Sequence, residues 1–199
     1  VFTGIIEATG FIETIEQKGG DARYVFNTGK LELSDVELGD SIACNGVCLT
    51  VIEKLDKGFA ADVSVETIEV TCFKNYHTQQ PVNFEKAMLP TTRFGGHMVS
   101  GHVDAIGEVV SIEEAARSIQ YIIKAPSEVL KYIAIKGSIT VDGTSLTVNN
   151  LENDSFSLNL VPHTLQETIA DSYQVGTQVN LEIDLIARYL ERLMHADKA

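Results

Sequence analysis

The residues best suited to chemistry in this chain are small and polar, and they come in matched pairs. Cys48 and Thr50 stand two apart, as do Ser145 and Thr147. Side chains alternate along a strand, so each pair shares one face while Leu49 and Val51, or Leu146 and Val148, share the other. A row of small hydroxyl and thiol groups suits the edge of a heteroaromatic ring, where donors and acceptors alternate; it also suits a solvated strand face. Cys48 has no basic neighbour in sequence to activate its thiol, and its match is Ser145, so it reads as a passive polar contact. His102, at the end of Gly95-Gly96-His97-Met98-Val99-Ser100-Gly101-His102, brings an imidazole, the natural general acid or base near neutral pH, although a single histidine is more often a structural hydrogen-bonding residue. Lys136 brings a cation that can stabilise an anion or simply face water.

The pairs match because the chain repeats itself. The segment from Ser41 to Val51 aligns with that from Ser138 to Val148, placing Gly46 on Gly143 at an offset of 97 residues. The same offset relates Gly4 to Gly101, Ala8 to Ala105, Gly10 to Gly107, Tyr24 to Tyr121, Phe59 to Phe156, Thr67 to Thr164, and Val82-Asn83 to Val179-Asn180. Blocks spread over the length in one register imply two copies of one folding unit. The expected division is 1–92, 93–185 and an appendage at 186–199 outside the repeat. Two of the chemical candidates are departures from symmetry: His102 falls where the first copy has Ile5, and Lys136 where it has Gly39.

Each copy reads as β. Asn45-Gly46 and Asp142-Gly143 are strong hairpin markers, and Lys57-Gly58 and Asn153-Asp154 mark the next turns. Short strands with frequent turns point to a small barrel, whose closure removes exposed edges. Short helices are expected at 64–71, 127–133 and 162–169. In the tail, Ile186, Tyr189, Leu190 and Leu193 fall on one helical face opposite Arg188, Glu191 and Arg192, a stripe to be covered by its own barrel or by self-association.

Composition narrows the classes. With 199 residues the chain lies near the size of one large or two small domains, and 44% apolar with 22% charged residues is ordinary for a packed protein. A formal charge of −13 without a basic run argues against nucleic acid. No apolar stretch reaches the roughly 20 residues of a membrane helix, and the first ten residues lack a secretory pattern, so a cytoplasmic location is expected. The 3 cysteines, Cys44, Cys48 and Cys72, make no disulfide framework, and neither they nor His97 and His102 have zinc-site spacing; no metal is expected.

Taken in order, Phe2-Thr-Gly-Ile-Ile6, Asn45-Gly-Val-Cys-Leu-Thr50, Gly95 to Asp104, Lys136-Gly137, Asp142-Gly-Thr-Ser-Leu-Thr147 and Val179 to Asp184 resemble the riboflavin synthase family over nearly the full chain. That resemblance implies two tandem six-stranded Greek-key β-barrels and a C-terminal helix that assembles a homotrimer. It also implies dismutation of two 6,7-dimethyl-8-ribityllumazine molecules to riboflavin and 5-amino-6-ribitylaminouracil without a cofactor. Lumazine synthase is a further partner it suggests. By position, one ligand surface comprises Val47, Cys48, Leu49 and Thr50, then Asp62, Val63, Ser64, Val65, Glu66 and Thr67, with Gly101, His102 and Val103 and with Lys136 reaching in. The other comprises Gly4, Ile5 and Ile6, then Ser145, Leu146 and Thr147, and Leu160, Val161, Pro162, His163, Thr164 and Leu165. His102 and Ser145 are the expected catalytic groups, supported by Ser41, Cys48 and Asp184. The alternative within the resemblance is a lumazine- or flavin-binding antenna protein that binds without converting. Both copies here keep a Leu-Thr pair, which favours catalysis. A flavin-binding electron-transfer barrel is a more distant alternative, with no glycine-rich βαβ segment following.

Overall fold

In the computed structural model, which describes residues 1–195, hairpin turns and alternating apolar residues generate thirteen strands among those residues. The first half holds β1 (Ala8–Lys18), β2 (Asp21–Asn27), β3 (Ser41–Cys44), β4 (Val47–Thr50), β5 (Glu53–Leu55), β6 (Gly58–Val63) and β7 (Pro81–Lys86). The second holds β8 (Ala105–Ala115), β9 (Ser118–Lys124), β10 (Ser138–Val141), β11 (Thr144–Leu151), β12 (Ser155–Leu160) and β13 (Gln178–Ile183).

The second half closes into a six-stranded antiparallel barrel in the order β10-β11-β12-β9-β8-β13. The first forms a seven-stranded sheet in the order β4-β3-β7-β1-β2-β6-β5, in which the two end strands are consecutive in the chain. β4 and β5 together occupy the place of β11. At the break the Val51 amide donates to Asp40 O at 2.8 Å while the Ile52 amide turns to Ala60 O at 3.0 Å. The second half thus closes as the expected six-stranded barrel, whereas the first is a half-barrel, an open sheet in which the expected strand is divided into β4 and β5. The second half marks the same place with a register shift between Val148 and Asn150.

Alternation sorts the strand faces as the sequence suggests. Leu49, Val51 and Val148 are buried, Cys48 and Ser145 are half-buried, and Thr50 and Thr147 are exposed. The first core is aromatic, with Phe26 and Phe59 centroids 5.1 Å apart and Phe84 edge-on to both; the second is mainly aliphatic. The helices are shorter than expected: α1 (Val65–Val70), α2 (Ser127–Leu130) and α3 (Pro162–Glu167). Thr71 and Thr168 return the chain to extended backbone and open separate 3-10 turns at Cys72–Asn75 and Ile169–Ser172.

α4 (Leu185–Met194) settles which face of the tail meets its own barrel; the expected 196–199 lie outside the described residues. The charged face docks, through Arg188 to Asp104 at 2.7 Å and Glu191 to Lys131 at 2.5 Å, with Tyr132 donating to Glu191. Ile186, Tyr189, Leu190 and Leu193 face outward at 53 to 70% exposure, so among the described residues nothing covers the apolar stripe. Among the described residues no helix is long and apolar enough to cross a membrane.

The halves meet about a pseudo-dyad at their hairpin turns. A Cβ on Gly46 would lie 2.8 Å from Gly143 N, and one on Gly143 equally close to Gly46 N, so glycine is required twice. Asn83 Nδ2 donates to Asp142 O and Asn180 Nδ2 to Asn45 O, both at 2.9 Å. This symmetry breaks at one group: Asn45 donates to the Tyr76 hydroxyl, whereas Asp142 accepts from Tyr173 at 2.6 Å and from Asn180 N at 2.8 Å. Burial pushes the Asp142 carboxyl up to about 7, with the Tyr173 and Asn180 hydrogen bonds pulling it down. A raised folded-state pKa means stability that is full below the ordinary carboxylate range and lost as pH rises through about 7. Asp142→Asn, which restores the Asn45 arrangement, is expected to exceed the parent in urea stability at pH 8 by about 1 to 3 kcal/mol. The advantage should shrink steadily between pH 7 and pH 5; a pH-independent difference would show that Asp142 does not titrate in this window.

Candidate active site

Two polar surfaces arise where each half's leading segment crosses to the other half. On the first, Gly101 O accepts the Cys48 amide at 2.8 Å and Val103 packs against the first core. Pairing of β3 with β4 sets Ser41 opposite Thr50 and Ala43 opposite Cys48, so all four occupy the outer face. His102 projects exposed beside them, and Asp62 on β6, with Ser64 to Glu66, continues an exposed polar rim. Ser64 caps α1 by accepting the Thr67 amide.

On the second surface, Gly4 O accepts the Ser145 amide at 2.7 Å and Ile5 lies exposed alongside. Thr147 pairs across to Ser138, and Val161 to His163 form an exposed rim like that of α1. The arrangement brings Gly4, Ile5, Ser145 and Thr147 together, although they come from opposite halves of the chain.

Some expected contributors offer only backbone. Val47, Leu49, Val63 and Leu160 are buried at 4% exposure or less and face the barrel interiors. Leu146 and Leu160 line a void of about 10 Å³ inside the second barrel, water-sized at most, so a heterocycle must lie outside the ring. Lys136 is exposed in a left-handed turn, φ 67°, its amide bonded to Val148 O at 2.8 Å; that backbone bond ties it to the second half, and among the described residues no hydrogen bond joins it to the first surface.

The group that the sequence reading missed is His97. It is buried at 7% exposure, with Nδ1 2.7 Å from Ser145 Oγ. Nε2 is buried and, among the described residues, has no hydrogen-bond partner. Burial pulls the imidazole below its usual range, opposed by the negative charge of Asp184, which also caps α4 by accepting the Ile186 amide at 2.9 Å. A neutral imidazole against a serine hydroxyl is a pair able to take up a proton, with Asp184 favouring the cation formed. The 97-residue offset puts the counterpart of His97 ahead of Val1, so comparison of the two copies could not single it out. The surfaces are unequal at matched positions: Ser145 stands where the first has Cys48, Asp184 where the first copy has Ala87, and His102 where the other has Ile5. Among the described residues no cluster of His, Cys, Asp and Glu is arranged to hold a metal ion.

Comparison with known proteins agrees with this duplicated arrangement. The family model described as "Lumazine binding domain" matches twice, at residues 3–87 and 100–184. Riboflavin synthase of Photobacterium phosphoreum is 52% identical over 198 residues, covering 100% of this chain and 91% of that protein. Riboflavin synthase of Bacillus subtilis (strain 168) is 44% identical, covering 98% of this chain and 90% of that protein. Among solved structures, LumP complexed with 6,7-dimethyl-8-(1'-D-ribityl) lumazine superposes with a TM-score of 0.83 at 23% identity, over 92% of this chain and 99% of LumP, a likeness of fold. Two lumazine binding domains in one chain and identity of this extent to curated enzymes place the protein in the riboflavin synthase family.

Proposed function

We propose that the chain is a riboflavin synthase, converting two molecules of 6,7-dimethyl-8-ribityllumazine into riboflavin and 5-amino-6-ribitylaminouracil by moving a four-carbon unit between them. The observation that carries this reading is the inequality of two otherwise matched surfaces. A binding protein needs one such surface, whereas a reaction between two copies of one substrate needs two with different tasks.

On the second surface the Ser145–His97 pair takes a proton from the ring methyl, whose anion delocalises into the heterocycle. On the first, His102 exchanges protons with the partner ring while Cys48, Ser41 and Thr50 hold its polar edge. Holding two rings in reacting orientation contributes about 7 to 11 kcal/mol in systems where positioning dominates. The surfaces of one subunit's front half and another's back half face each other in a homotrimer, which the outward apolar stripe of α4 would assemble. A cytoplasmic location and association with lumazine synthase complete the reading.

Purified protein given dimethylribityllumazine should produce riboflavin fluorescence at one riboflavin per two substrates consumed. Tight binding without turnover would instead support the antenna alternative.

A further inference from the structure

Two buried glutamates carry no role in the chemistry above, yet each is fully engaged. Alternation along β7 and β13 turns Val82, Phe84, Val179 and Leu181 into the cores, leaving Glu85 and Glu182 on the outer faces, where strand carboxylates are usually solvated. Here they are 4% and 2% exposed, covered by the leading segments of the two halves. Glu182 Oε1 accepts from Ser100 N and Ser100 Oγ, both at 2.7 Å, and Oε2 accepts from Gly101 N at 3.0 Å. Glu85 repeats the set with Thr3 N and Thr3 Oγ1 at 2.7 Å and Gly4 N at 2.9 Å.

The next link in each chain of contacts crosses between halves. Gly101 O receives the Cys48 amide and Gly4 O receives the Ser145 amide. The fit is close: a Cβ on Gly101 would fall 2.6 Å from Cys48 Cβ, and one on Gly4 2.6 Å from Ser145 Cβ. Both glycines also have positive φ, +81° and +75°, a backbone turn that glycine adopts without steric cost and that leaves room for the close approach.

We propose that the glutamates are positioning residues acting crosswise: Glu182, in the second half, seats the Gly101–His102 segment on Cys48 of the first surface, and Glu85, in the first half, seats Thr3–Ile5 on Ser145 of the second. Each surface is set by a carboxylate belonging to the other copy, so neither half alone orders its own site. The assignment to ligand surfaces rests on the proposed function, but the seating itself can be read without substrate.

The test is the rate at which Cys48 reacts with a thiol reagent in the otherwise unmodified chain, with Cys48→Ser identifying its signal against buried Cys44 and Cys72. Glutamine cannot accept at both positions, since its amide would face the Gly101 N–H. Glu182→Gln should therefore raise Cys48 labelling at least about tenfold, the opening expected on losing a charge-assisted hydrogen bond. Glu85→Gln should leave it within about twofold, while lowering kcat like Glu182→Gln. If Glu182→Gln does not fold, Ser100→Ala removes one donor and should raise labelling about threefold on the same logic. Unchanged labelling in the variant that folds, or an equal rise in Glu85→Gln, overturns the crosswise assignment. Crosswise labelling in a protein without turnover would leave the positioning intact and remove the proposed function.

Discussion

Replacing His97 with Asn should lower kcat at least about 100-fold, within the range that one general acid or base contributes, while leaving the thermal midpoint nearly unchanged. Asparagine can place an amide atom where Nδ1 meets Ser145 Oγ at 2.7 Å, preserving the contact and removing the titration. Ser145→Ala should cost a similar factor. The double variant should cost little more than either, because groups that act as one unit are not additive. Multiplying losses in the double variant would show that the two residues act separately. A pH profile supplies the sign: burial pulls the His97 pKa down, so the base stays neutral, and activity persists, to lower pH than an ordinary histidine would allow. His97→Asn should abolish that acid limb, and a limb that persists would belong to another group.

The second large effect is expected at His102. Its Ala variant should also lose about 100-fold or more in kcat, by the same proton-transfer argument on the other surface. The structural alternative is weak here, because His102 is exposed and no hydrogen bond to its ring is present among the described residues. Its segment is held by the backbone, through Gly101 O to Cys48 N at 2.8 Å, and by Asp104, which accepts the Ile183 amide at 2.9 Å. Truncating the ring therefore leaves the segment in place, and substrate KM should change much less than kcat. A rate within about twofold of the parent would reduce His102 to a surface residue. His97→Asn and His102→Ala affect different surfaces, so single-turnover measurements should show each slowing a distinct step.

Much of this site was legible because its determinants are local or periodic. Asn45-Gly46 and Asp142-Gly143 demand tight turns wherever they occur, and alternation then puts Cys48 with Thr50 and Ser145 with Thr147 on the outer face. The constant offset extended that reading to both copies, and the strands outside the divided one begin and end 97 residues apart in the structure, as with β6 at Gly58–Val63 and β12 at Ser155–Leu160. Helix lengths were less legible, since Thr71 and Thr168 end helices by side-chain bonds within a turn whose conformation depends on packing.

By itself the sequence determined the duplication, the strand pattern and the polar rows, and offered His102, Ser145 and Cys48 as candidates, while Ser41 and Asp184 came only with the family resemblance. Only the tertiary structure decided that Gly4 meets Ser145 and Gly101 meets Cys48, that His97 is the partner of Ser145, and that α4 turns its charged face inward. The reason is physical. Turn and strand preferences act between neighbours in sequence, whereas these contacts join segments that only barrel closure and the Gly46–Gly143 approach bring within hydrogen-bond reach, and no local pattern encodes which buried donor will find which acceptor.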